Sequence, residues 1–141
     1  MAIHSKKVFL AADALTAFVD RAHPKHLHSA AFFRYFAQEG FQLFTTLTEI
    51  NTANQYIYSA LSPSLSKEFI KGLSLSAINI LTPDDTDIRA TYKTMLSNST
   101  TEMTFAEALI TTLANRRNIP QICTFSYIHL LFGIQLFYLP L

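Results

Sequence analysis

A chain of 141 residues, half of them apolar and 15% charged, has the material for a buried core and is too apolar for a disordered segment. Its net charge of +1 supplies no bulk attraction for nucleic acid, so any contact with RNA needs a local basic patch. One cysteine excludes an internal disulfide framework and fits a reducing, cytoplasmic setting.

In chain order, His4, Lys6 and Lys7 precede only three apolar residues, which is not the pattern of a signal peptide. Residues 8–10 read as a first buried strand, and Asp13 is placed to cap a helix from Ala14 to about Asp20. Pro24, after His23, suits the first position of the next helix, and Gly40 its stop. A second strand over 41–45 leads into a helix over 46–60. Ser62 and Pro63 open another helix that ends near Gly72. Residues 77–81 form the third strand. Thr82 and Pro83 begin a helix with Asp84 and Asp85 in its first turn. The clearest helix covers 104–118, with Phe105, Ala108, Leu109 and Leu113 on one face. Strands over 121–124 and 134–139 follow. The apolar run from 128 on is broken by His129, Gly133, Gln135 and Pro140 and is shorter than the roughly 20 residues of a membrane span, so no membrane partner is expected.

Short apolar runs alternating with longer helical patterns predict one three-layer α/β/α domain over 1–141, with a central, mostly parallel five-stranded sheet. The stretch 98–101 reads as a polar loop within it, not as a linker.

In such sheets functional groups gather beyond the carboxyl ends of the strands. Ala11, the segment 46–49, the segment 104–107 and Ser126 fall in that zone. The stretch Val8-Phe9-Leu10-Ala11-Ala12-Asp13-Ala14-Leu15 resembles the opening strand and turn of PIN-domain nucleases. Thr104-Phe105-Ala106-Glu107-Ala108-Leu109 and Thr124-Phe125-Ser126 resemble their last two acidic motifs. The resemblance runs from Val8 to Leu139 and is best over 104–124, in the small bacterial style of toxins from toxin–antitoxin pairs.

The resemblance implies a magnesium- or manganese-dependent endoribonuclease with RNA as substrate, an antitoxin-like protein partner and a homodimer. Glu49 and Glu107 would be the catalytic, metal-binding carboxylates, with Asp13 as an auxiliary ligand. Ala11 and Ser126 stand where aspartates are expected and mark lost ligands. Clustered carboxylates hold hard cations, which activate water and offset developing charge. This reduced set implies one weakly held ion and weak or absent cleavage. Glu107 also replaces the family's usual aspartate, and a carboxylate moved by about 1 Å costs on the order of a hundredfold in rate. The alternative is a non-catalytic module that binds RNA or a protein partner.

The surviving acids have a second reading. Thr46 with Glu49 and Thr104 with Glu107 are spaced as capping boxes, in which the glutamate returns to the cap residue's N–H. Acids at 11 and 126 would cap nothing, so the acids that remain are those useful to folding. An unrelated α/β domain whose acids only cap helices would look the same here.

Arg116 and Arg117 suit the end of a helix, where cations complement its dipole; their functional reading is RNA phosphate contact. His23, His26 and His28 cluster without a zinc spacing, and His129 follows Ser126 without a readable triad. Phe32, Phe33, Tyr35 and Phe36 crowd one helix, as an interface or as core. Cys123 lies in an apolar run and reads as a buried packing residue.

Overall fold

The computed structural model describes residues 5–97, 102–126 and 133–140. The polar loop at 98–101 and His129 lie outside these residues.

The central strand is β1 (Lys7–Leu10), whose alternating side chains are buried on both faces, as in an interior parallel strand. Val8 and Leu10 enter one core cluster, while Phe9 and Ala11 enter the other. Each fully buried side chain of this size contributes about 1.5–3 kcal/mol. On one side β1 pairs with β2 (Gln42–Thr46), which pairs with β3 (Asn79–Leu81). On the other it pairs with β4 (Gln121–Cys123), which pairs with β5 (Gln135–Leu136). All four pairings are parallel, in the order β3-β2-β1-β4-β5.

Helices α1 (Ala12–Val19), α2 (His26–Glu39), α3 (Leu47–Tyr56) and α4 (Pro63–Leu75) supply the cluster around Val8 and Leu10. Helix α6 (Phe105–Arg116) covers the opposite face through Ile110 and Ala114, with α5 (Asp85–Ser97) packed against it. The expected three layers are present. No helix among the described residues is long and apolar enough to cross a membrane.

Local chemistry explains most of the helix ends. Gly40 takes the left-handed conformation (φ 68°), and the Phe41 N–H closes on the Phe36 carbonyl at 2.9 Å. The two rings meet with centroids 5.1 Å apart, the apolar contact that accompanies this stop. Ser62 Oγ accepts the Leu65 N–H at 3.0 Å, with Pro63 at the first helical position, as read from the sequence.

Other boundaries move. The second helix starts at His26, not Pro24. α3 ends at Tyr56 and continues as a π-helical turn, Ile57–Leu61. α4 runs through Gly72 to Leu75, since tertiary packing overrides one glycine's modest helix penalty. The third and fifth strands are shorter than expected.

The crowded aromatic face of α2 belongs to the core. Phe32 and Phe36 are buried, and Phe137 sits with its ring centroid 5.2 Å from Phe32 and 4.6 Å from Phe36.

Candidate functional site

From β1 the chain builds β2 and β3 to one side, then crosses to place β4 on the other. The carboxyl ends of β1 and β4 therefore flank a topological switch point, where open parallel sheets leave a crevice. A cleft of about 530 Å³ opens there, and Ala11, Asp13, Glu49, Glu107 and Ser126 all line it. Strand ends deliver Ala11 and Ser126, while the first turns of α1, α3 and α6 deliver Asp13, Glu49 and Glu107.

Asp13 does not cap α1. The helix begins at Ala12, Ala11 is its cap residue, and no side chain makes the cap bond. The Asp13 carboxylate instead faces the end of β4. The Thr124 hydroxyl lies 2.8 and 2.7 Å from its two oxygens, and the Phe125 N–H donates to Oδ2 at 2.8 Å. The Ser126 hydroxyl donates to Oδ2 at 3.0 Å. Nothing local in the sequence distinguishes this role from a cap, because the donors lie more than a hundred residues away.

Glu49 likewise departs from its capping box. Thr46 Oγ1 accepts the Glu49 N–H at 3.3 Å, but Glu49 Oε1 accepts the Ala12 N–H at 2.8 Å instead of returning to Thr46. The side chain thus closes the open N-terminus of α1 from another helix. Burial pushes the Glu49 carboxyl above its ordinary pKa; the Ala12 N–H opposes that shift and the charge of Asp13 adds to it. In the second box Thr104 Oγ1 accepts the Glu107 N–H at 3.1 Å.

These carboxylates share a cleft without forming a coordination set. Among the described residues no three His, Cys, Asp or Glu side chains stand together as a metal-holding group. Asp13 Oδ2 accepts the Phe125 N–H and the Ser126 hydroxyl, the one hydrogen of the Thr124 hydroxyl is shared between its two oxygens, and Glu49 is buried with one oxygen taken by Ala12. Ala11 contributes only a methyl group. A hard cation needs several free oxygen lone pairs, so the donors of this cleft do not fit the expected magnesium or manganese ion held by Glu49, Glu107 and Asp13.

The expected basic contacts also find an internal partner. Arg116 Nε lies 2.7 Å from Asp87 Oδ1, and Arg117 NH2 lies 2.6 Å from Asp87 Oδ2. The hydrogen bond from Arg117 leads the causes that hold the Asp87 carboxyl well below the usual carboxylate range. The same carboxylate accepts the Asp84 N–H at 2.9 Å, while Asp84 Oδ1 accepts the Asp87 N–H at 2.8 Å. This reciprocal box opens α5 and ties it to the end of α6. Arg116 Nε and the Arg117 guanidinium are thereby engaged within the fold, with both side chains still partly exposed. The spacing of Asp84 and Asp87 was the signal for it.

The histidines separate into different roles. His23 Nδ1 accepts the Lys25 N–H at 2.9 Å, His26 Nδ1 lies 2.9 Å from the Ala17 carbonyl, and His28 Nδ1 is buried with no partner among the described residues. Cys123 is buried, and burial pushes its thiol up to about 12, as suits the packing residue read from the sequence.

Solved structures superpose on this chain over most of its length. VapC20 from Mycobacterium tuberculosis, a sarcin-ricin loop cleaving toxin, superposes with a TM-score of 0.70 at 10% identity, over 82% of this chain and 86% of that one. This is a PIN-like fold. VapBC2 from Rickettsia felis, in a structure bound to a DNA fragment from its promoter, gives a TM-score of 0.61 at 9% identity, over 84% of this chain and 86% of that one. At these identities the likeness is one of PIN-like fold alone. No family model and no curated protein matches the sequence.

Proposed function

We propose that this chain is a toxin-like PIN-fold protein with an incomplete carboxylate site, giving weak or no RNA cleavage. One observation carries the reading: Asp13 is bound by Thr124, Phe125 and Ser126, beside an Ala11 that offers no oxygen. Metal-assisted hydrolysis of an RNA phosphodiester needs an ion to lower the pKa of water and to offset developing charge. Glu49, the other inner carboxylate, is buried with one oxygen on the Ala12 N–H, which leaves the cleft short of a full ligand set. The test is manganese-dependent cleavage of single-stranded RNA by the native chain, by Glu49→Gln and by the Ala11→Asp/Ser126→Asp double variant. The expected result is little or no cleavage by the native chain and more by the double variant. Native cleavage that disappears in Glu49→Gln refutes the reading.

A second observation favours a binding role. An apolar groove of about 880 Å³ runs between α1, α2 and α4, lined by Leu15, Phe18, Leu65, Phe69, Leu73 and Ile78. Phe18 is 46% exposed in it. Arg21 and Glu68 stand at the same groove, so an amphipathic segment of a second protein suits it better than RNA. A VapBC assembly among the structural neighbours supports an antitoxin-like occupant. Co-expression with the product of an adjacent small gene tests this. Co-elution with the native chain, lost in Phe18→Glu, is the expected result, and a complex indifferent to Phe18→Glu refutes this placement.

A further inference from the structure

We infer that the Asp13 carboxylate is a metal-independent latch, holding the segment Thr124, Phe125 and Ser126 against α1 to form one wall of the cleft. The contact joins positions 111 residues apart in sequence, at the point where β1 and β4 end side by side.

Its geometry is closed on itself. The Thr124 hydroxyl donates to Asp13 and accepts the Ser126 N–H at 3.2 Å, while the Ser126 hydroxyl returns to Asp13 at 3.0 Å. Each donor presents a hydrogen to a lone pair that an ion would otherwise need. The same segment is held from its apolar side as well: the Phe125 ring stacks on Phe32, with centroids 5.6 Å apart and planes at 23°. The backbone N–H of Phe125 and its ring thus engage α1 and α2 respectively, so the middle of the segment is held from two helices.

The residues on either side are consistent with a latch. The Ala11 N–H donates to the Cys123 carbonyl at 3.1 Å, which brings the ends of β1 and β4 together without any acid at position 11. An acid in place of Ser126 would set a second negative charge facing Asp13, which a latch cannot tolerate without a counter-ion. A neutral hydroxyl there strengthens the carboxylate by a charge-assisted hydrogen bond.

The inference concerns how the cleft is held together and stands whether or not RNA or a protein binds. It is read by calorimetric Tm of the full chain in chelator and in millimolar manganese, for the native protein, Asp13→Asn and Thr124→Val. The native Tm is expected to be the same in both solutions. Each variant is expected to melt lower by on the order of 5 °C, equally in both. A native Tm that rises with manganese, with the rise lost in Asp13→Asn, overturns the latch. So does a Thr124→Val protein as stable as the native one. Should Asp13→Asn not fold, manganese electron paramagnetic resonance on the native chain decides. An undiminished free-ion signal supports the latch, and stoichiometric loss of signal overturns it. The latch rests on the same Asp13 contacts as the proposed function, but it is read by stability and metal binding, so RNA cleavage by a chain whose latch passes these tests refutes the function alone.

Discussion

The backbone N–H of Ala12, in the first turn of α1, donates to Glu49 Oε1 on α3 at 2.8 Å. This bond explains why α1 needs no side-chain cap of its own, since its first orphan donor is satisfied from a neighbouring helix. It also fixes two helices of one layer to each other at the rim of the cleft.

Glu49→Gln tests the charge state of that contact. Burial leads the causes that raise the Glu49 pKa above 4.5, opposed by the Ala12 N–H and reinforced by Asp13. For a carboxyl whose folded value is raised, the stabilising contribution is complete below the unfolded value and is lost as pH rises through the folded one. Glutamine keeps an acceptor for Ala12 without titrating. The native chain should therefore lose stability relative to Glu49→Gln between acid and neutral pH, as read by urea midpoints. Parallel pH curves for the two proteins would falsify this.

Asp87→Asn probes the link between α5 and α6. The carboxylate is inaccessible, whereas the Arg116 and Arg117 side chains are 36% and 32% exposed. Removing one partner of a buried pair costs about 3–5 kcal/mol, and solvent screening of the arginines places this one at about 3 kcal/mol. Because the folded pKa of Asp87 is lowered, the contribution is present above the unfolded value of 3.8 and fades as pH falls through the folded one. Denaturant unfolding at neutral pH should show the loss; a change under about 1 kcal/mol would assign the pair to surface electrostatics.

Phe137→Ala should release the edge strand. Only Gln135–Leu136 pair as β5, so this short strand depends on the side chain that follows it. Phe137 lies among Phe32, Phe36, Tyr35 and Phe41, and its N–H donates to the Ile122 carbonyl at 2.8 Å. Truncating a buried phenylalanine costs about 3–5 kcal/mol. Hydrogen exchange at the Phe137 amide should accelerate along with the loss of stability. Unchanged protection there would mean that the strand holds without the ring.

Asn118 follows α6 with φ at 56°, and the Ile119 N–H closes on the Ala114 carbonyl at 2.8 Å. Asparagine tolerates this left-handed position better than any residue except glycine. Asn118→Ala should cost about 1 kcal/mol while Asn118→Gly should not, as measured by thermal unfolding. Equal effects of the two substitutions would show that the conformation is not what selects asparagine.

Much of the architecture was legible because it follows from local physics. Apolar runs at 8–10 and 121–123, the stop at Gly40 and the Ser62–Pro63 start each act within a few residues. The PIN-like resemblance placed Ala11, Asp13, Glu49, Glu107 and Ser126 in one zone, and the cleft contains them all. The errors are of a different kind. Pro24 suited a helix start, yet the helix opens two residues later, at His26. Asp13 suited a cap and Glu49 a full capping box, and each carboxylate goes elsewhere; Arg116 and Arg117 do end α6 as read, but with Asp87 as a partner the sequence reading did not name.

The chain's own pattern determined three layers, parallel strands and the positions at which acids face the carboxyl end of the sheet. Only the tertiary structure decided what each charged group holds. Asp13 takes Thr124, Phe125 and Ser126, Glu49 takes Ala12, and Asp87 takes Arg116 and Arg117. Helix and strand signals depend on neighbours within one or two turns. A carboxylate's distant partners are set by strand order and crossover packing; Asp13 and Glu49 leave the nearest local donor unused, while Asp87 takes the local Asp84 N–H as well as the two arginines.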